Sequence, residues 1–104
     1  MGFVYLIGEE NEENKYKIGS TKCKDINKRL KQLQTGNSNK LILTNYFETS
    51  RPFKLELMLH NKYKDKNVIG EWFELNDNDI STFKKECENF QAIIDCLKEN
   101  PYFK

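Results

Sequence analysis

The sequence feature that most constrains the fold is a pair of short apolar segments near the N-terminus. Residues Phe3–Ile7 are apolar, β-branched or aromatic, which is typical of a buried strand. The polar and acidic residues Gly8–Asn14 follow, and Tyr16–Gly19 form a second short segment that ends at a glycine. Because so few residues separate the two segments, an antiparallel hairpin is the simplest connection between them. We therefore predict that the chain begins with a β-hairpin.

A helix and a third strand are predicted after this hairpin. Three apolar residues recur at the spacing of one helix face: Ile26, Leu30 and Leu33. Asp25 or Asn27 could cap the start of this helix, and Gly36 is expected to end it in a left-handed conformation. Leu41–Phe47 then has the composition of a strand.

The segment Phe53–Lys64 carries two patterns at once. Its leucines alternate as in a strand, yet its apolar residues also follow helical spacing. Thr49–Pro52 precedes it with a hydroxyl suited to capping and a proline suited to the first turn of a helix. We therefore predict a helix here, and a short strand or an extended turn at Glu71–Leu75.

The C-terminal part of the chain has the clearest helical pattern. One apolar stripe runs at steps of three and four residues: Ile80, Phe83, Cys87, Phe90, Ile94 and Leu97. Asn76–Asp79 supplies a cap and Pro101 a stop, which predicts a helix over about residues 77–99. The order of elements predicts a single α+β domain over residues 1–104, with a small three-stranded antiparallel sheet flanked by helices.

Charge is distributed unevenly along the chain. Residues 15–40 contain eight lysines and arginines and one acid, a net charge of +7, whereas residues 70–104 carry a net charge of −4. A basic half beside an acidic half favours an anionic partner on one face. Several residues of the basic stretch are candidates for contacts with phosphates: Ser20, Thr21, Lys22, Lys24 and Lys28.

Several classes of protein are excluded by what the sequence lacks. No apolar run is long enough to span a bilayer, and the N-terminus lacks the pattern of a signal peptide. The three cysteines have no CxxC spacing, and His60 is the only histidine, so neither a disulfide framework nor a zinc site is expected. An intracellular, reducing location is expected.

Four polar residues interrupt the predicted elements and are candidates for chemistry. Tyr5 lies in the first strand, Lys17 in the second, Arg29 on the basic helix and Glu56 between two leucines.

The order of these residues resembles the GIY-YIG endonuclease superfamily. Phe3-Val4-Tyr5 and Tyr16-Lys17-Ile18-Gly19 resemble its paired signature, residues 25–37 its arginine helix and residues 55–63 its glutamate helix. Gly70-Glu71-Trp72-Phe73 is similar to the close of a phage- and virus-type branch. The resemblance covers residues 3 to about 75. Phe3 stands where the first motif has glycine, and Lys17 where the second usually has tyrosine, although some branches are similar in using Lys-Ile-Gly.

The resemblance implies a metal-dependent DNA endonuclease that leaves 5′-phosphate and 3′-hydroxyl ends and needs no small-molecule cofactor. Phosphodiester hydrolysis needs charge neutralisation on the phosphate and a group that accepts a proton from water. In the site that the resemblance implies, Glu56 could hold a Mg²⁺ or Mn²⁺ ion, and the planar fork of Arg29 could bind phosphate oxygens. Either Tyr5 or Lys17 could take the proton.

Other residues near these four have roles that the resemblance leaves open. His60 and Tyr16 are possible accessory residues, and Glu71 is either a second metal ligand or a solvated carboxylate. Trp72 is expected to pack under the site rather than to stack on a base. Two alternatives stay open: a nucleic-acid-binding module with weak or lost catalysis, and a protein-interaction domain that uses the acidic terminal helix.

Overall fold

The computed structural model describes residues 1–97, which form one antiparallel sheet of five strands with three α-helices. In chain order the elements are β1 (Gly2–Glu9), β2 (Lys15–Thr21), α1 (Ile26–Thr35), β3 (Leu41–Thr49), α2 (Pro52–Lys62), a single 3₁₀ turn (Lys64–Lys66), β4 (Asn67–Ile69), β5 (Trp72–Glu74) and α3 (Asp77–Leu97). Among the described helices, none has the length and apolar character needed to cross a membrane.

The strand order is β3-β1-β2-β5-β4, and the N-terminal hairpin is confirmed. The predicted α+β class is confirmed, but the predicted three-stranded sheet is wrong, because β5 pairs with β2 and β4 pairs with β5. All of Asn67–Ile69 is exposed, so β4 has no alternating apolar pattern to reveal it. Gly70, at φ +55°, lies in the tight turn after β4, and this turn allows β5 to pair with β4.

The start of α1 is as predicted, and its end is not. The Asp25 carboxylate accepts hydrogen bonds from the backbone N–H groups of Asn27 and Lys28, at 3.0 and 3.4 Å. Gly36 has φ −96°, so the predicted left-handed ending is wrong. The side chain of Gln34 replaces it, since its amide donates to the Asn39 carbonyl at 2.8 Å and its oxygen accepts from the Leu41 N–H at 2.7 Å.

The ambiguous segment is helical, as predicted, with Pro52 in the first position of α2. Leu55 and Leu59 are fully buried while Leu57 is exposed, which is the pattern of one helix face rather than of a strand. The predicted hydroxyl cap is wrong, because Arg51 occupies the capping position without a side-chain cap. The Thr49 hydroxyl instead accepts from the Arg51 N–H and donates to the Gln91 side chain of α3.

The predicted stripe of α3 faces the core as far as Ile94, but the prediction is wrong for Leu97, which is 37% exposed. The cap of α3 is reciprocal. Asn76 accepts from the Asp79 N–H at 2.8 Å, and Asp79 accepts from the Asn76 N–H at 3.1 Å. Phe83, Cys87 and Ile94 are buried. The helix is described to Leu97, and the predicted stop at Pro101 lies outside the described residues.

The two faces of the sheet have separate cores. Val4, Leu6 and Ile18 pack on one face with buried residues of α2 and α3. Tyr5 and Ile7 point to the opposite face and pack with residues of α1 and β3. A side chain of α1 and a side chain of α2 can therefore meet only where the sheet between them is thin or ends.

Candidate active site

The sheet is thin where Tyr5 lies beside Gly19, in the middle of the hairpin of β1 and β2. The two residues are directly paired between β1 and β2. A Cβ atom at Gly19 would lie 2.5 Å from the Tyr5 hydroxyl oxygen and 2.6 Å from the ring carbon that bears it. The Tyr5 ring therefore lies across the backbone of β2, in space that a side chain at position 19 would fill. Tyr5 is 1% exposed, so its hydroxyl is held in this position.

Arg29, on the second turn of α1, lies beside the Tyr5 hydroxyl. Burial raises the pKa of Tyr5, a hydrogen bond and the positive charge from Arg29 lower it, and the net pKa is above its ordinary value. One guanidinium nitrogen, Nη1, donates to the Gln32 side chain at 3.4 Å. The Nε–H of Arg29 is buried and has no hydrogen-bond partner among the described residues. A buried, charged donor without a partner is suited to an incoming anion.

Glu56, His60 and Glu71 form a cluster next to β2. Each residue offers one possible ligand atom, and the three atoms lie within 4.8 Å of one another. Burial raises the pKa of the Glu56 carboxyl, and the charge of Glu71 also raises it. A hydrogen bond with Ser20 and the nearby His60 lower it, but the net pKa is above its usual value. The charges of Glu56 and Glu71 also act on the Tyr5 hydroxyl.

His60 is attached to the backbone of β2. Its Nε2 atom lies 2.8 Å from the Ile18 carbonyl oxygen and 3.8 Å from a Glu56 oxygen. Because a carbonyl oxygen only accepts hydrogen bonds, Nε2 carries the hydrogen in this contact. The Ile18 N–H donates to the Glu71 carbonyl at 3.0 Å. The backbone of Ile18 therefore contacts both His60 and Glu71. The contact between Nε2 and the Ile18 carbonyl fixes the His60 ring beside Glu56, and the two carboxylates offer oxygen atoms as possible metal ligands.

Lys17 contacts Glu71 rather than Tyr5 or Glu56 in the described ion pairs. Its Nζ atom lies 3.7 Å from the Glu71 carboxylate, and both side chains are partly exposed. Lys17 is paired with Trp72 across β2 and β5. Trp72 packs against the core on the α1 side, where it is partly buried, and the centroid of its ring lies 5.2 Å from the Lys15 Nζ atom. That it packs under the site rather than stacking on a base stays a prediction.

The family model of the T5orf172 domain matches residues 2–91, which is most of the chain. The chain belongs to the T5orf172 domain family. This family is related to the GIY-YIG nuclease domains, so the resemblance seen in the sequence is supported at the level of the nuclease domain family. No curated protein and no solved structure matches the chain significantly.

The T5orf172 domain brings some of the sequence-predicted residues together and separates others. Arg29 and Glu56 both lie within electrostatic reach of the Tyr5 hydroxyl. Ser20, predicted to contact DNA, hydrogen-bonds to Glu56. Tyr16, predicted as accessory, packs against the core on the α2 and α3 face, away from the Tyr5 side of the sheet.

The remaining residues predicted to contact DNA are partly or fully exposed. The Thr21 hydroxyl accepts from the Cys23 N–H at 3.0 Å, and Lys22, Lys24 and Lys28 are exposed.

The sequence leaves two roles open for Glu71. Gly70 is the sequence feature that could have predicted its place in the cluster. The tight turn at Gly70 puts Glu71 directly before β5, and β5 pairs with β2.

The donor set of this T5orf172 domain fits a hard divalent cation. Glu56 and Glu71 are carboxylates with oxygen atoms close together, and burial together with their mutual repulsion disfavours the charged form of Glu56. A cation between them would relieve this repulsion, and Mg²⁺ and Mn²⁺ prefer such oxygen ligands.

Proposed function

We propose that this T5orf172 domain is a metal-dependent DNA endonuclease that hydrolyses phosphodiester bonds to 5′-phosphate and 3′-hydroxyl ends. One observation carries the proposal: a tyrosine hydroxyl, an arginine whose buried Nε–H has no partner among the described residues, and a pair of carboxylates lie close together at β2. These groups supply a proton acceptor, an anion-binding donor and a cation site, which together meet the needs of phosphodiester hydrolysis.

Glu56 and Glu71 would hold the cation, and His60 would lie beside it, since its Nε2 atom is 3.8 Å from a Glu56 oxygen. A bound Mg²⁺ or Mn²⁺ would neutralise charge on the phosphate and stabilise the leaving oxygen. Lys17 also contacts Glu71, and its ammonium group offsets part of the negative charge of the cluster.

Arg29 and Tyr5 would act on the phosphate and on the attacking water. The unpaired Nε–H of Arg29 would bind a phosphate oxygen and so hold the phosphorus beside the Tyr5 hydroxyl. Tyr5 would take the proton of the water, since the neighbouring guanidinium stabilises the phenolate that this role requires. Lys17 would then act through its charge rather than as the base.

A plasmid-nicking assay tests this function. Purified protein is incubated with supercoiled plasmid in Mg²⁺ or Mn²⁺, beside Glu56→Ala and the matched surface control Glu74→Ala. We expect wild type and Glu74→Ala to nick the plasmid and Glu56→Ala to be inactive. Labelled oligonucleotides then identify the ends. DNA binding without nicking by wild type in either metal would contradict the proposal and identify a nucleic-acid-binding domain on the same fold.

A further inference from the structure

A groove opens next to the candidate active site, between the end of β2 and the start of α2. Its volume is about 390 Å³, and it is lined by Ser20, Thr21, Lys22, Pro52 and Phe53. Ser20 also hydrogen-bonds to Glu56. The groove therefore begins at the residue that contacts the proposed metal ligand, and a DNA strand bound in the active site could continue into it.

The charge of this region suits a polyanion. Two adjoining depressions share Lys22 and Pro52 with the groove and add further cations: Lys24, Arg51 and Lys54. None of the described residues that line these three depressions is acidic. Four cationic side chains on one continuous surface are typical of a track for a phosphate backbone.

Phe53 presents an aromatic ring to solvent in the middle of this basic surface. Its side chain is 64% exposed although it is one of the largest apolar residues of the chain, whereas the adjacent Pro52 is buried. It occupies the first turn of α2 and lines both the groove and one adjoining depression. An exposed aromatic ring among cations can stack on a base whose phosphates the cations hold.

We propose that Phe53 stacks on an unpaired base of a single-stranded DNA segment whose phosphates lie along Lys22, Lys24, Arg51 and Lys54. The inference rests on the proposed nuclease function for its position beside the active site, and it names the substrate class as DNA that is single-stranded next to the cleaved bond. A continuous duplex keeps its bases stacked inside the helix, so Phe53 has no base to contact in such a substrate.

The test measures binding without cleavage. The Glu56→Gln protein in EDTA is titrated into a short single-stranded oligonucleotide with one central 2-aminopurine, and into the same sequence as a perfect duplex. We expect Phe53→Ala to weaken single-strand binding by about 5- to 150-fold and to abolish the fluorescence change of 2-aminopurine, with little effect on the duplex. Phe53→Trp should preserve both signals, because indole also stacks.

Leu57 is the matched control. It is 48% exposed one turn after Phe53 on the same helix but does not line the groove. Leu57→Ala should bind both DNAs as the parent does. The inference is overturned if Phe53→Ala binds single strands like its parent, if both DNAs lose affinity equally, or if the parent binds no single strand.

This outcome is separate from that of the nicking assay. If the wild type nicks the plasmid but Phe53→Ala binds single strands like its parent, the stacking role is wrong and the nuclease function is supported. If Phe53→Ala weakens single-strand binding but the wild type does not nick the plasmid, the stacking role is supported and the nuclease function is wrong.

Discussion

Gly19 leaves the space that the Tyr5 hydroxyl occupies: a Cβ atom at position 19 would lie 2.5 Å from the hydroxyl oxygen. The two residues face each other across the hairpin, and Tyr5 is fully buried. Since neither the ring nor the strand can move without disturbing the core, the glycine determines where the proposed proton acceptor sits.

Gly19→Ala should damage both the fold and the active site. The added methyl group overlaps the Tyr5 ring, so we expect a loss of about 1–3 kcal/mol in the free energy of unfolding. Displacement of the hydroxyl should also lower the nicking rate by at least about 100-fold, comparable to loss of a general base. Urea unfolding and single-turnover nicking measure the two effects on the same preparation.

Gly36→Ala is the matched control for that substitution. Nothing lies within 4 Å of an added Cβ at Gly36, and its φ of −96° is compatible with alanine. We expect a gain of about 0.4–1 kcal/mol in the free energy of unfolding and an unchanged nicking rate. Wild-type stability and activity in Gly19→Ala would show that the contact with Tyr5 does not constrain the site.

The pH dependence of nicking should report on Tyr5. Burial holds the pKa of Tyr5 above its ordinary value, so the phenolate is scarce at neutral pH and its fraction grows as pH rises. The wild-type rate should therefore rise by about tenfold per pH unit through the neutral range. Tyr5→Phe should lower the rate by about 100-fold or more and remove this dependence.

Substitutions of Lys17 distinguish a charge from a base. Lys17→Arg keeps a positive charge near Glu71, so most of the nicking rate should remain, whereas Lys17→Ala should lose about tenfold. The pH–rate profiles of both variants are recorded beside that of Tyr5→Phe. An inactive Lys17→Arg together with a pH-dependent Tyr5→Phe would assign the base to Lys17 instead.

Metal binding should reverse the effect of Glu56 on stability. The folded pKa of Glu56 is raised, so the folded state prefers the protonated form and loses stability as pH rises through that pKa. Without metal at neutral pH, Glu56→Gln should therefore gain about 1 kcal/mol in the free energy of unfolding. With Mn²⁺, wild type should be stabilised and Glu56→Gln should not.

Thermal unfolding with EDTA and with Mn²⁺ measures both parts of this prediction. Glu71→Gln should lose most of the metal-dependent stabilisation, and Glu74→Gln, an exposed carboxylate on β5, should keep it. Stabilisation by Mn²⁺ should weaken as pH falls toward the raised pKa of Glu56, because protons compete for the same carboxylate. Full stabilisation of Glu56→Gln by Mn²⁺ would move the metal site elsewhere.

DNA affinity should fall with salt, and three lysines should carry part of that dependence. Lys22, Lys24 and Lys28 are exposed in the basic stretch that includes α1. Their replacement by alanine should reduce the slope of log affinity against log salt by up to about 0.9 for each phosphate that is no longer neutralised. The double variant Lys84→Ala and Lys85→Ala on exposed positions of α3 is the control. An unchanged slope in the triple variant would place the DNA on another surface.

Asp79 should make the fold sensitive to acid. Burial alone would raise the pKa of this carboxyl, but the hydrogen bond and charge of Lys66 and the Asn76 N–H together lower it. A lowered folded pKa stabilises the fold above the unfolded value of about 3.9, and this contribution is lost as pH falls through the folded pKa. Asp79→Ala should cost about 2 kcal/mol at neutral pH and flatten the loss of stability in acid, as measured by urea unfolding.

Asp77→Ala is the control for the acid effect. Asp77 is an exposed acid in the same first turn of α3, without the contacts that Asp79 makes to Asn76 and Lys66 in the described hydrogen bonds. We expect it to cost less than about 1 kcal/mol. An acid transition in Asp79→Ala that matches wild type would show that other carboxylates control it.

Elements whose pattern is local were predictable from the sequence. The hairpin, α1 with its Asp25 cap, the helix predicted at Phe53–Lys64 and the stripe of α3 all follow from the spacing of neighbouring apolar residues and from capping chemistry. The order of Tyr5, Arg29 and Glu56 likewise resembles a nuclease site, and the family match supports that resemblance at the level of the domain family. Each predicted element depends on residues within a few positions of one another, so its pattern is visible along the chain.

Elements without a local apolar pattern, and contacts between residues far apart in the chain, were not predictable. β4 is exposed along its whole length and exists because β5 pairs with it, and the Thr49 hydroxyl bonds to Gln91 of α3 instead of capping α2. The same holds in the site, where Glu71 contacts Lys17 and His60 contacts the Ile18 carbonyl. In the site and at Thr49 the partners are far apart in the chain, and only the closing of the sheet and the docking of the helices on it bring their polar atoms to within hydrogen-bonding or ionic distance.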